Sequence, residues 1–254
     1  MKVDKSILRE IDRKLGYIKE KEGSAYFNLA FNRRRQFLRA LANFHSSAIE
    51  HPVESSLSLK KGRRSHEARK IKEAAKVIQS AWLASMSYTD IFNPDMVKAM
   101  NYMIQNNTPN PPKNKLGAFR QARVTLGLNF TPPNYVKIPE LMDSLYRRIQ
   151  TQYEGAAHPI EASIEAHFGI ATIQPFGDGN KRTARLYQAR ILDSKALPIP
   201  YIPVGERLFY LKLLEEAGYA ASVHKDRAST EETNFANYLA SRVNVSLEFI
   251  LGRK

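Results

Sequence analysis

Residues 174–185, Gln-Pro-Phe-Gly-Asp-Gly-Asn-Lys-Arg-Thr-Ala-Arg, gather in one short stretch the residue types that hold a polyphosphate. Gly177 and Gly179 permit tight or left-handed backbone geometry without a Cβ penalty. The amides of residues 177–180 can therefore converge on an anion at the start of a helix expected from Asn180 to about Ala196. Asp178, the only acid in the loop, offers hard oxygen ligands suited to Mg²⁺, an ion that keeps several waters and shares its other positions with substrate phosphates. Arg182 and Arg185 fall on one face of the expected helix, where each guanidinium can fork onto phosphate oxygens. Phe176 reads as an apolar anchor for the loop and Pro175 as a stiff entry to it. A Gly-Asp-Gly-Asn turn by itself would be an ordinary loop before a solvated helix; the longer run and its flanks favour a phosphate site.

The run resembles the signature of the Fic family: His-Pro-Phe, a spacer, an acidic residue, Gly-Asn and a following basic pair. One position departs, since Gln174 stands where the family has its histidine. The resemblance implies a protein adenylyltransferase, which transfers AMP from ATP to a Ser, Thr or Tyr hydroxyl of a target protein (AMPylation). It also implies that Gly177, Gly179, Asn180, Lys181, Arg182 and Arg185 bind the nucleotide phosphates, that Asp178 holds Mg²⁺, and that Gln174 occupies the place of the catalytic base. A glutamine amide accepts hydrogen bonds but takes up no proton near neutral pH. Loss of a general base costs roughly 10²–10⁴ in rate, so the chain as written is expected to bind nucleotide and transfer it poorly. Lys181, at a position often held by glycine, is shared with phosphotransferring members and keeps deAMPylation or another phospho-group transfer open. A non-catalytic nucleotide-binding or sensing module is the reading from a different class.

The flanks extend the resemblance. In residues 158–172, Ile160, Ile164, His167, Phe168 and Ala171 recur at helical spacing and describe a buried helix leading into the loop. His167 lies on its apolar face and matches a structural histidine of the family, so it reads as a hydrogen-bonded core residue outside the catalytic set. Residues 116–133, with Val124, Leu126 and Leu128 alternating before a Pro-Pro stop, read as strand. They are similar to the family's β-hairpin flap, against which a target protein docks; Arg123, Val124, Thr125 and Leu126 would then make the docking edge by strand addition. Without the resemblance, the same segment is a surface hairpin closing the core. Upstream, Ser46-Ser47-Ala48-Ile49-Glu50-His51 resembles the family's inhibitory sequence, with His51 in place of Gly or Asn. In that role Ser46 and Glu50 belong to a helix beside the ATP site, and Glu50 pairs with Arg185 in competition with the γ-phosphate. Taken alone, it is a helix end carrying a solvated glutamate.

The elements that must position these residues are helical. The expected architecture is all-α, a Fic-type helical bundle with one β-hairpin flap. Helices are expected from Ile7 to an end at Gly23, from 37 onward through the inhibitory-like sequence, and near 66–86, 94–106, 138–153, 158–172, 180–196, 205–217 and 231–251. The division expected is an N-terminal helical extension over 1–90 and a Fic core over 91–254. At 254 residues the chain is long enough for one substantial core. It has no cysteine, which excludes disulfides and thiolate metal sites and points to a cytoplasmic protein. No apolar run approaches the ~20 residues of a membrane span. The net charge is +14. Residues 1–76 carry 19 Lys and Arg against 9 Asp and Glu, densest at Lys60, Lys61, Arg63, Arg64, Arg69, Lys70 and Lys72 beside Arg33, Arg34 and Arg35. Such a face would draw an acidic partner or nucleic acid, although no nucleic-acid module accompanies it; a solvated basic surface is the plainer reading.

Overall fold

The computed structural model describes residues 1–50, 66–106, 116–124, 130–223 and 229–252, with the side chains of Tyr26, Glu50 and residues 66–72 outside that description. Nine α-helices span the described residues: α1 (Lys5–Lys21), α2 (Ala25–Glu50), α3 (His66–Ser85), α4 (Pro94–Asn106), α5 (Ile138–Glu154), α6 (Pro159–Ile173), α7 (Asn180–Ser194), α8 (Arg207–Val223) and α9 (Thr230–Leu251). Short 3-10 turns at Tyr135–Lys137 and Val204–Glu206 lead into α5 and α8.

The centre of the bundle is α6. Its sequence is apolar around the whole circumference, and Ile160, Ile164, Ala166, Ile170 and Ala171 are fully buried, as expected of a helix surrounded by others. Pro159 occupies the first turn, where its missing N–H costs nothing, and the His158 ring accepts from the Ile160 N–H (3.2 Å). Small residues let neighbours approach closely: a Cβ on Gly169 would collide with Leu145 of α5. The most extensive packing is between α6 and α7, and α4, α3 and α2 cover the other faces of α7.

The first helix docks through its Ile11 and Ile18 face and through Lys14, of which only 2% is exposed. All three ammonium donors of Lys14 are used, by Glu10 on its own helix (2.8 Å) and by Asn244 (2.7 Å) and Glu248 (2.8 Å) of α9. A buried cation is tolerable only with such pairing. The start of α9 is fixed by a reciprocal capping box between Ser229 and Glu232.

The all-helical expectation holds; the β-hairpin does not. Among the described residues there is no strand: 116–124 run through turns and bends, and Phe130 is an isolated bridge position. Arg120 accounts for the difference. Its side chain is nearly buried, 6% of the residue being exposed, and its guanidinium donates to the carbonyls of Gln174 (2.7 Å), Ala122 (2.6 Å) and Pro133 (2.6 Å). Its backbone N–H donates to the Pro175 carbonyl (2.8 Å). Backbone groups that a ladder would pair are thus satisfied by one side chain, and the segment is drawn onto the 174–175 loop. Of the residues expected to form a docking edge, Arg123 is exposed and Val124 partly exposed; Thr125 and Leu126 lie outside the described residues.

Replacing Arg120 by Met should cost on the order of 2–4 kcal/mol of unfolding free energy, because the buried Gln174 carbonyl and two less buried ones lose a charged donor together. Denaturant unfolding measures the loss. Amide hydrogen exchange should quicken both in 116–124 and around Gln174; quickening in only one of them would mean that Arg120 does not couple the two.

Candidate functional site

The loop between α6 and α7 begins with a left-handed residue. Gln174 caps α6 at φ 51° and ψ 58°, a conformation uncommon for a residue with a side chain. Its backbone N–H still reaches the Ile170 carbonyl (3.1 Å). Its side chain is 7% exposed and fully engaged. Nε2 donates to the Ala171 carbonyl (2.6 Å), and Oε1 accepts from Asn180 Nδ2 (3.0 Å). These partners fix the amide orientation, since a backbone carbonyl only accepts.

Asn180 closes the loop from the other end. Its Oδ1 accepts from the Phe176 N–H (2.9 Å), while Nδ2 donates both to the Phe176 carbonyl (2.8 Å) and to Gln174. Phe176 itself is fully buried, its ring 5.9 Å from that of Phe119. The anchor is therefore double, an apolar ring below and a carboxamide clamp above.

Gly179 is the N-cap of α7 at φ 76°, and it meets the glycine requirement expected from the sequence. Gly177 does not: it lies outside the left-handed region. A Cβ there would meet no protein atom within 4 Å. Its exposed position leaves space over the loop. The first-turn N–H groups of Asn180, Lys181 and Arg182 have no acceptor within the helix and open outward with the positive end of its dipole.

Around that terminus stand the charged residues. The Asp178 side chain is 72% exposed; Oδ1 accepts from the Gly179 N–H (2.6 Å) and Oδ2 pairs with Arg182 Nη2 (3.2 Å). The Arg182 Nε is buried with no hydrogen-bond partner among the described residues. Arg185 turns away from the loop toward α2. Its Nε donates to Ser46 Oγ (2.9 Å) and its Nη2 to the Ser46 carbonyl (3.0 Å), with the guanidinium 5.9 Å from the Tyr210 ring centroid. Glu50 ends α2 one turn after Ser46, and its side chain lies outside the described residues. The end of α2 is tied down further by Arg207 Nε on the Ile49 carbonyl (2.7 Å) and by His45 Nδ1, which accepts from the Val204 N–H (3.2 Å).

Behind Arg185 lies His167, fully buried, with Nδ1 2.6 Å from Gln188 Oε1 and Nε2 2.9 Å from the Tyr210 hydroxyl. Burial, aided by the nearby Arg185 charge and opposed by the Gln188 bond, pushes its pKa down to about 3. It is a neutral structural link, as its apolar setting in the sequence suggests. Of the basic N-terminal residues within the described range, Arg34 donates to the Ile250 carbonyl (3.0 Å) and Arg35 and Arg39 pair with Asp193 (3.1 and 2.8 Å), while Arg33 is exposed. The cluster from Lys60 to Arg64 and the side chains of Arg69, Lys70 and Lys72 lie outside the described residues.

Three structural residues escaped the sequence reading. Arg120 has no local pattern that marks it. Asn101 and Gln105 of α4 do carry a signal, two amides one turn apart on a helix whose Met96, Val97, Met100 and Ile104 are all buried. Both reach the carbonyl of Asp178.

Residues 91–192 match the family model described as Fic/DOC family. Over 120 residues the chain is 32% identical to the protein adenylyltransferase Fic of Drosophila persimilis, an alignment covering 46% of this chain and 23% of that protein. The chain thus spans about a quarter of the length of the curated relatives it matches. A Fic-domain-containing signaling protein from Bacteroides thetaiotaomicron superposes with a TM-score of 0.71 at 19% identity, covering 96% of this chain and 99% of the other. A Fic family protein from Desulfovibrio desulfuricans superposes with a TM-score of 0.73 at 19% identity, covering 99% and 76%. At those identities the superpositions establish the fold. Residues 91–192 are thus similar to the Fic/DOC family model, and the helical bundle as a whole shares the architecture of the two solved Fic-domain structures. No helix among the described residues is long and apolar enough to cross a membrane.

The His167 network sets a pH dependence. The unfolded chain takes up a proton at this histidine below about pH 6.5 while the folded protein does not until about pH 3. Stability should therefore fall as the pH drops through that window, by on the order of 4 kcal/mol from this residue alone. His167→Gln, which cannot titrate, should show a shallower decline when unfolding is followed from pH 7 to pH 4. Parallel curves would mean that His167 is protonated in the folded state.

Proposed function

We propose that this chain is a protein adenylyltransferase scaffold of the Fic type that binds ATP over the 177–182 loop and is held in a low-activity state. The observation that carries the reading is the left-handed Gly179 cap, which opens the first-turn amides of α7 beside Arg182 while Asn180 clamps the loop behind them. Backbone donors at a helix start, together with one guanidinium on the same rim, suit a polyphosphate.

The acceptor hydroxyl must lose its proton as it attacks the α-phosphate. Gln174 occupies the place where the Fic signature has its histidine, and both ends of its amide are already committed to Ala171 and Asn180. It braces the loop and supplies no base, so transfer is slowed by roughly 10²–10⁴ relative to a histidine-bearing site. Asp178 is a lone exposed carboxylate, and no group of three or more His, Cys, Asp or Glu converges on a metal position among the described residues. It therefore fits an ion such as Mg²⁺ that completes its shell with water and phosphate oxygens. When bound, that ion would neutralise phosphate charge, with Asp178 as its protein ligand.

Ser46 on Arg185 supports the inhibitory role of α2. With Arg185 hydrogen-bonded to Ser46 and Glu50 one turn further along the same helix, the guanidinium reaches the γ-phosphate only when α2 shifts, and loss of the Glu50 carboxylate would ease that shift. The test is transfer of label from α-labelled ATP to lysate proteins or to the chain itself. Gln174→His combined with Glu50→Gly should raise labelling by 10²–10⁴ over the unaltered chain, in line with the effect of a general base. Measurable ATP binding without labelling in the double variant would favour a nucleotide-sensing module instead.

A further inference from the structure

We propose that Asn101 and Gln105 of α4 are positioning residues for nucleotide phosphate, acting through the Asp178 and Gly179 peptide units; this rests on the phosphate-site reading above. The two amides are 0% and 3% exposed. Asn101 Nδ2 donates to the Asp178 carbonyl (3.0 Å) and to Thr183 Oγ1 (3.1 Å). Gln105 Nε2 donates to the same Asp178 carbonyl (2.7 Å) and to Asn101 Oδ1 (2.7 Å). One loop carbonyl therefore receives two donors from a helix 73 and 77 residues earlier in the chain. The relay continues, because Thr183 Oγ1 donates to the Gly179 carbonyl (3.0 Å), which also accepts from the Thr183 N–H (2.9 Å).

The consequence is directional. A peptide unit is planar and its N–H points opposite to its C=O. With the carbonyls of Asp178 and Gly179 drawn inward to α4 and Thr183, the N–H of Asn180 must face out of the helix mouth, and that of Gly179 faces the rim, where Asp178 Oδ1 accepts from it (2.6 Å). Gly179 is confined at the same contact, where an added Cβ would sit 3.1 Å from Ile104 Cγ2 and 3.2 Å from Asn101 Nδ2. Two amides buried among methionines and isoleucines are poor choices for packing alone, since each donor and acceptor needs a partner. Here their donors converge on the one carbonyl whose direction sets the anion-facing amides. They touch the ligand nowhere and shape the surface that does.

The experiment compares Asn101→Asp, which sets an acceptor against the Asp178 carbonyl, and Gln105→Met, which removes the other donor at similar volume. Met100→Leu on the same helix is the packing control. All three are made in the Glu50→Gly chain, and ATP and adenosine affinities are measured by calorimetry alongside thermal unfolding. Each amide variant should weaken ATP about tenfold, as expected for losing one well-placed hydrogen bond. Adenosine affinity should be unchanged, a split that a general loosening of the core would not produce. If the Glu50→Gly chain itself takes up no ATP, the phosphate-site reading fails and this inference with it. If it binds ATP and the amide variants bind it equally well, the site reading stands and the positioning role is overturned. Should Asn101→Asp fail to fold, Gln105→Met decides the matter alone.

Discussion

One side chain holds the loop between α6 and α7 in shape. The carboxamide of Asn180 spends its acceptor on the Phe176 N–H and its two donors on the Phe176 carbonyl and Gln174 Oε1. Both polar side-chain atoms of a residue only 5% exposed are thereby hydrogen-bonded, and they close the turn from the end of α6 to the start of α7. Because Asn180 is also the first residue of α7, the clamp sets the helix axis and the loop together. The clamp and the bonds of Asn101, Gln105 and Thr183 to the Asp178 and Gly179 carbonyls together fix how the first turn of α7 is presented.

The second constraint is charge. Arg182 and Arg120 approach the loop while Arg185 turns from it toward α2, and each is answered differently. Arg182 meets Asp178 at the exposed rim, Arg185 meets Ser46 of α2, and Arg120 is consumed entirely by carbonyls. In the rim pair the Asp178 carboxylate is largely exposed while the Arg182 side chain is mostly buried. Arg185 sits over a neutral His167, so the buried side of the site carries no second cation. Burial and that arginine both keep the imidazole uncharged.

Much of this was legible in the sequence. The helices over 94–106, 158–172 and 180–196 lie within a few residues of the observed elements because their apolar spacing, Pro159 and Gly179 mark them locally. The family signature located the loop, and the buried character of His167 followed from its apolar face. What failed depended on distant partners. The alternation ending in the Pro-Pro stop reads locally as a strand, but whether the described residues 116–124 pair or are gathered in by a guanidinium is decided by where Arg120 lands in three dimensions. Gly177 and Gly179 look equivalent in sequence, yet only Gly179 is pressed against α4. The amides of Asn101 and Gln105 were visible as polar interruptions of an apolar helix, while their target, a carbonyl in a loop more than seventy residues away, was not.

The most direct test of the account is a crystal structure of the Glu50→Gly chain grown with ATP and magnesium. The account predicts phosphate oxygens on the N–H groups of residues 180–182, with Arg182 turned from Asp178 onto the nucleotide and the Asn180 clamp unchanged. Nucleotide bound elsewhere on the bundle, or an empty α7 terminus at saturating ATP, would contradict it.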